Sequence, residues 1–225
     1  MTRASETSIA VSDDRRVSAL LLEPEAPRCL LVFAHGAGAG MRHATMETFA
    51  RGVAELGIAT LRFRFPYRET GRRPPNPRPV LQRTVRAAVA QARTMRPELP
   101  LLAGGRSMGG RMASGADAVD PLDVAGFVFH AFPLHPPGKP GTSRADHLSQ
   151  VEKPMLFVNG TRDRLADPEL LAGVCDRLGP RATLHVVEGG DHSLHVLKRS
   201  GRPQEDVDRE VADAVSGWCR ELLGP

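Results

Sequence analysis

The sequence predicts an α/β fold, with a mostly parallel, doubly wound sheet flanked by helices and little or no lid above it. Three observations carry that expectation. Short, continuous apolar runs such as residues 29–34, 124–129 and 154–158 have the character of buried strands, the first of them buried on both faces. Helical apolar spacings fall between strand-like runs, and strand alternating with helix is the pattern of parallel sheets built from crossover units. Finally, several strand-like runs break into glycine-rich turns, and α/β folds place their ligand sites at the carboxyl ends of strands.

Taken in order, residues 1–14 are polar with one apolar interruption and suit an edge strand. Residues 17–22 and 29–34 follow as strands, the first two elements entering the sheet antiparallel. Met46, Phe49, Val53 and Leu56 mark one face of a helix closed by Gly57, and 58–63 is the next strand. The segment 64–79 is rich in arginine and proline, which disfavours regular structure. It reads as a solvated loop, or as a rim on which Arg64, Tyr67 or Arg68 touches a ligand. Leu81, Val85, Ala88, Val89 and Ala92 have helical spacing, with Pro79 where helix starts tolerate it. Further strands are expected from Leu101, over 124–129, over 154–158 and over 182–187. Val207, Val211, Val215, Trp218 and Leu222 close the chain as an amphipathic helix, with Trp218 in the core.

Composition narrows the function classes. At 225 residues and 41% hydrophobic the chain suits one core, hence a single domain over residues 1–225. No apolar run approaches the roughly 18 residues that cross a bilayer, and the N-terminus lacks a signal-peptide core, so a soluble cytoplasmic protein without a membrane role is expected. The formal net charge is only +4 despite a pI near 9.4, and basic residues are interspersed with acidic ones. Only 3 of the 30 basic residues are lysine, which reads as composition bias rather than a nucleic-acid surface. Cys29, Cys175 and Cys219 form no C-x-x-C pair, and His192 and His195 lack the H-E-x-x-H arrangement, so no disulfide framework, metal or cofactor is expected. Nothing specifies oligomerisation beyond a monomer or weak homodimer.

Chemistry concentrates around Gly105-Arg106-Ser107-Met108-Gly109, which fits G-x-S-x-G. In that pattern a serine occupies a strained strand-to-helix turn with its hydroxyl above the sheet, and flanking glycines avoid backbone clashes. Chance alone yields the pattern in about one chain in ten of this composition. Context strengthens it. His35-Gly36-Ala37-Gly38-Ala39-Gly40 follows a buried strand and has neither the third glycine of a dinucleotide fingerprint nor a Gly-Lys-Ser/Thr end. It reads instead as an oxyanion loop whose N–H groups are unobstructed, or as a plain glycine-rich turn. Asp163 follows the 154–158 strand, with Asp167 as a fallback, and His192 lies in the loop after the last strand. Asp191 reads as a loop residue. Between the 124–129 and 154–158 strands, the proline-rich 132–140 stretch and the polar tail to Gln150 are too short for a large helical lid. His135 and Lys139 in that stretch either line the site or sit in a rigid surface loop.

Ser107, Asp163 and His192 follow the chain order of an α/β-hydrolase triad, and the whole chain resembles that superfamily. The 35–40, 104–111, 133–140 and 189–192 segments are similar to a compact dienelactone-hydrolase-like family. That family includes testis-expressed hydrolase-like proteins and a subunit of a histone acetyltransferase complex. Dienelactone hydrolases use a cysteine where Ser107 stands, so their particular substrate does not carry over. The expected chemistry is acyl transfer to water from a small-molecule ester, thioester or lactone. Ser107 would attack, His192 act as base and Asp163 orient it, with the Ala37 and Met108 amides as oxyanion donors. Gly36, Gly38, Arg64, Tyr67 and His135 are the expected substrate contacts. A non-catalytic interaction module keeping the same fold is the rival reading, as the complex subunit allows.

Overall fold

The computed structural model describes residues 2–224. Its principal elements are β1 (Arg3–Ser12), β2 (Arg15–Glu23), β3 (Cys29–Ala34), α1 (Ala44–Glu55), β4 (Ile58–Phe63), α2 (Pro66–Glu69), α3 (Arg78–Met95) and β5 (Leu101–Arg106). They continue as α4 (Met108–Asp117), β6 (Gly126–His130), β7 (Met155–Gly160), α5 (Pro168–Leu178), β8 (Ala182–Val187) and α6 (Gln204–Leu223). The strands form one eight-stranded sheet in the order β1-β2-β4-β3-β5-β6-β7-β8. β1 and β2 form an antiparallel hairpin, and β2 also joins β4 antiparallel. From β4 onward every pairing is parallel. Met1, where the expected edge segment began, lies outside the described residues.

The unbroken apolar runs follow from two cores on opposite sheet faces. Side chains alternate across a strand, so Leu30, Val32 and Ala34 of β3 join the core beneath α3, α4 and α5. Cys29, Leu31 and Phe33 join the core beneath α1 and α6. β6 and β7 divide the same way: Phe127, Phe129, Met155 and Phe157 face one core, and Val128, Leu156 and Val158 the other. Trp218 packs in the α1/α6 core. Burying a large apolar side chain of this kind contributes about 1.5–3 kcal/mol, so both helical layers are held on the sheet by their apolar stripes.

Several boundaries differ from the sequence reading. β6 starts later and runs on to His130, and β7 runs on through Asn159 and Gly160. The strands outlast their apolar residues because the backbones of His130, Asn159 and Gly160 still pair in the sheet, while the Asn159 side chain turns to the Phe132 backbone and the His130 ring packs on Phe49. The 64–79 segment contains a helical turn, α2, since Pro66 stands at the first helical position, where its missing N–H costs nothing. The tail before Gln150 is a 3-10 helix, Ser143–Gln150, that buries Ala145 and Leu148. The helix α5 lacked a sequence assignment; Asp167 caps it and Leu171, Val174, Cys175 and Leu178 form its buried stripe.

Candidate active site

β5 passes into α4 through Ser107, whose φ of 52° and ψ of −116° place a non-glycine residue in a sparsely populated region. Such a conformation costs about 1–3 kcal/mol. Its backbone is held by the Ser107 N–H donating to the His130 carbonyl at 3.0 Å and by the Arg111 N–H donating to the Ser107 carbonyl at 3.3 Å. The flanking glycines are required by close approach. A Cβ at Gly105 (φ 155°) would lie 2.3 Å from the Ala34 carbonyl oxygen, and one at Gly109 would lie 2.2 Å from the same atom.

Above this turn, His192 Nε2 lies 2.8 Å from Ser107 Oγ. On the other side of the ring, His192 Nδ1 lies 2.9 and 2.8 Å from Asp163 Oδ1 and Oδ2. An ionised carboxylate only accepts, so the imidazole proton sits on Nδ1 and the Nε2 lone pair faces the serine hydroxyl. The Asp163 side chain is fully buried. It also accepts from the Leu165 N–H at 2.8 Å and the Asn159 side-chain amide at 3.4 Å. The fallback Asp167 is elsewhere, accepting from the N–H groups of Glu169 and Leu170 at the start of α5. Asp191 shapes the histidine loop by accepting from the N–H groups of Ser193 and His195.

The 35–40 loop stands beside the serine. Gly36 is buried, and a Cβ there would lie 3.2 Å from Arg106 Nη1 and 3.6 Å from Ser107 Cβ. Ala37 and Gly38 are exposed. Among the described residues the Ala37 and Met108 amides donate to no acceptor, leaving both N–H groups available. His35 is fully buried, donating from Nδ1 to the Gly36 carbonyl at 2.8 Å and accepting at Nε2 from the Phe65 N–H at 3.1 Å. Burial pushes its pKa down to about 4, so the ring is neutral at pH 7 and suits both bonds.

The rim contacts expected from sequence need correction. Tyr67 is 1% exposed, and its hydroxyl donates to the Ala37 carbonyl at 2.7 Å. It braces the loop rather than meeting a ligand, and burial raises its pKa to about 12, keeping the proton it donates. His135 is also buried, with Nδ1 donating to the Pro136 carbonyl at 3.0 Å and Nε2 accepting from the Asp167 N–H at 3.4 Å. Both ring nitrogens are engaged in holding the 132–140 stretch against the loop after β7, so it does not line the site. Arg64 is half-buried, near enough to His35 to disfavour its protonation, and no hydrogen bond among the described residues joins it to Ser107, Asp163 or His192.

The sequence reading missed Arg106, the variable residue before the serine. Its Nη2 donates to Ser193 Oγ at 2.8 Å and to the His192 carbonyl at 3.4 Å, tying the histidine loop to the turn. Only its place inside the motif could have signalled that role. A cavity of about 150 Å³ lies behind the histidine loop, lined by Thr45, Phe49, His130, Ser193 and Leu194 among others. Burial lowers the pKa of His130 to about 3, so it enters that cavity as a neutral ring. Among the described residues no group of three or more histidine, cysteine, aspartate or glutamate side chains is arranged to hold a metal ion. No helix among them is long and apolar enough to cross a membrane.

A parallel sheet with a strained serine between strand and helix, and an acid and a base delivered from later strand ends, is the architecture of α/β hydrolases. The chain belongs to the alpha/beta hydrolase domain family, which it matches over residues 27–220. Its fold is similar to that of a dienelactone hydrolase from Anabaena variabilis, at 19% identity over 98% of both chains with a TM-score of 0.78. It is similar also to a serine hydrolase without lid from Xanthomonas campestris, at 21% identity over 96% of this chain and 94% of that one (TM-score 0.74). A third likeness is to the esterase domain of a Rhodothermus marinus protein, at 19% identity over 99% of this chain and 100% of that one (TM-score 0.73).

Proposed function

We propose that the protein is a serine hydrolase that cleaves a small or medium ester, thioester or lactone through an acyl-enzyme intermediate. The observation that carries this reading is the continuous hydrogen-bonded line from Asp163 through His192 to Ser107 Oγ, with contacts of 2.8–2.9 Å at the ring. In the first half-reaction Ser107 Oγ attacks the substrate carbonyl carbon and its proton passes to His192 Nε2. Asp163 accepts from Nδ1–H and stabilises the imidazolium so formed. The tetrahedral oxyanion receives N–H donors from Ala37 and Met108; losing one such donor typically costs about a hundredfold or more in rate. His192 then returns the proton to the leaving oxygen or sulfur, which departs and leaves Ser107 acylated. In the second half-reaction His192 takes a proton from water, the hydroxyl attacks the acyl carbon, and Ser107 Oγ leaves with that proton restored.

The likeness to a serine hydrolase without lid supports an open site suited to small or medium substrates. Hydrolysis of p-nitrophenyl esters of increasing acyl length tests the reading. Turnover by the wild type, abolished in folded Ser107→Ala and His192→Ala, is expected, and the series then defines the acyl preference. Absence of turnover for every ester and thioester by well-folded wild type would instead favour the non-catalytic interaction module.

A further inference from the structure

Beside α4, three arginines converge on one cavity. Arg78 opens α3, Arg111 stands one turn along α4 from Ser107, and Arg144 belongs to the 3-10 helix Ser143–Gln150. They line a cavity of about 350 Å³ together with His147 and Asp146. Among the described residues no ion pair joins any of the three guanidinium groups to a carboxylate. Arg144 Nη1 donates to the His135 carbonyl at 3.0 Å, but Arg111 Nε and the side-chain nitrogen of Gln82 are buried without acceptors. Gly115 leaves room for the donors: a Cβ there would lie 2.7 Å from Gln82 Nε2 and 2.9 Å from Arg78 Nη2.

The charges are mutually unfavourable as they stand. Burial, followed by repulsion from Arg144 and Arg78, pushes Arg111 down to about 10. His147 is pushed down to about 4 by burial and then by Arg78 and Arg111, so at pH 7 it is neutral, 2.8 Å from Ser114 Oγ. Exposed Asp146 is the one carboxylate lining the cavity. Three guanidinium groups against one carboxylate leave an excess of two positive charges, partly desolvated, which a bound dianion would offset. Guanidinium forks pair in a bidentate manner with tetrahedral oxyanions, and the three free oxygens of a phosphate match three such forks better than the two of a carboxylate.

We propose that this cavity binds a phosphate-class oxyanion, either as free phosphate or as the phosphate group of a substrate. Arg111 and Ser107 are neighbours along one helix, since the Arg111 N–H donates to the Ser107 carbonyl, and one helical turn spans about 5.4 Å. The substrate-borne source rests on the hydrolase reading above; the binding site itself does not.

Calorimetric titration of inorganic phosphate at low salt into wild type, an Arg78→Gln/Arg144→Gln double variant and Arg51→Gln tests the proposal. Arg51 lies exposed on α1, over the other face of the sheet. Saturable one-site binding by wild type, retained in Arg51→Gln and weakened tenfold or more in the double variant, is expected. Thermal melts confirm folding, and Arg78→Gln alone, at an exposed position, supplies the readout if the double variant does not fold. No saturable binding by wild type, or equal affinity in the folded variants, overturns it. Kinetics then separate the sources. Phosphate that raises KM for an ester with a phosphate-bearing tail, but not for p-nitrophenyl butyrate, marks a substrate subsite; phosphate that binds without changing either KM marks a site for free phosphate. Should no ester be hydrolysed, the calorimetric result stands on its own and only the hydrolase reading fails.

Discussion

The Tyr67 hydroxyl donates to the Ala37 carbonyl at 2.7 Å, fixing the Ala37–Gly38 peptide of the loop whose Gly36 stands beside Ser107. A residue of the arginine- and proline-rich segment thereby braces the loop whose Ala37 amide is the proposed oxyanion donor. In Tyr67→Phe the ring still packs, but the loop loses its tether. A roughly tenfold fall in kcat with KM within about twofold is expected, because donor alignment matters most when negative charge develops. Loss of stability should stay near 1 kcal/mol. Steady-state kinetics on a p-nitrophenyl ester reads the effect, and an unchanged kcat would mean that the tether is dispensable.

Asp163→Asn preserves shape and reverses the hydrogen-bond sense. An amide nitrogen facing His192 Nδ1 donates rather than accepts, forcing the ring proton to Nε2, where it faces Ser107. A fall in kcat of about 10⁴ is expected from the wrong tautomer, with the fold retained by circular dichroism. Activity within tenfold of wild type would contradict the assigned role.

Acid should destabilise the fold through histidines that do not react. His35, with a pKa of about 4, and His130, with one of about 3, both lie below the ordinary 6.5 because burial disfavours their charged forms. The unfolded chain therefore binds protons first. Their contribution to stability is fully present above about pH 6.5 and is lost progressively as pH falls through the folded values, by about 1.4 kcal/mol per pH unit for each ring. Urea midpoints measured from pH 7 to pH 4 should fall accordingly, and His35→Gln should flatten the slope over that window. An equally steep slope in the variant would remove His35 from the account.

Two glycines of the site should respond oppositely to an added methyl group. Gly109→Ala sets a Cβ 2.2 Å from a backbone oxygen, whereas one at Gly38 meets nothing within 4 Å. Expected losses are more than about 3 kcal/mol for the former and less than about 0.5 kcal/mol for the latter, read by urea unfolding. A stable Gly109→Ala protein would mean that the turn tolerates more separation than its geometry implies.

Strands were legible in the sequence where both faces are buried, since β3 and β4 coincide with apolar runs. Boundaries failed where backbone pairing outlasts apolar side chains, as at His130 and Asn159. The helix α5 has a short stripe, Leu171, Val174, Cys175 and Leu178, flanked by charged residues that dilute its periodicity. The positions of Ser107, Asp163 and His192 at strand ends followed from turn chemistry and chain order, which are local signals. The bracing by Tyr67, His135 and Arg106 was not legible, because each acts through a contact with a segment distant along the chain. For the same reason the arginines around Arg111 looked like composition bias until α3, α4 and the 3-10 helix brought them together.

Mass spectrometry of the intact wild type, Ser107→Ala and His192→Ala after treatment with a fluorophosphonate tests the central claim most directly. One covalent adduct, mapped to the peptide carrying Ser107, absent from Ser107→Ala and strongly slowed in His192→Ala, is the predicted result. A folded wild type that takes up no adduct, or an adduct that persists in Ser107→Ala, would contradict it.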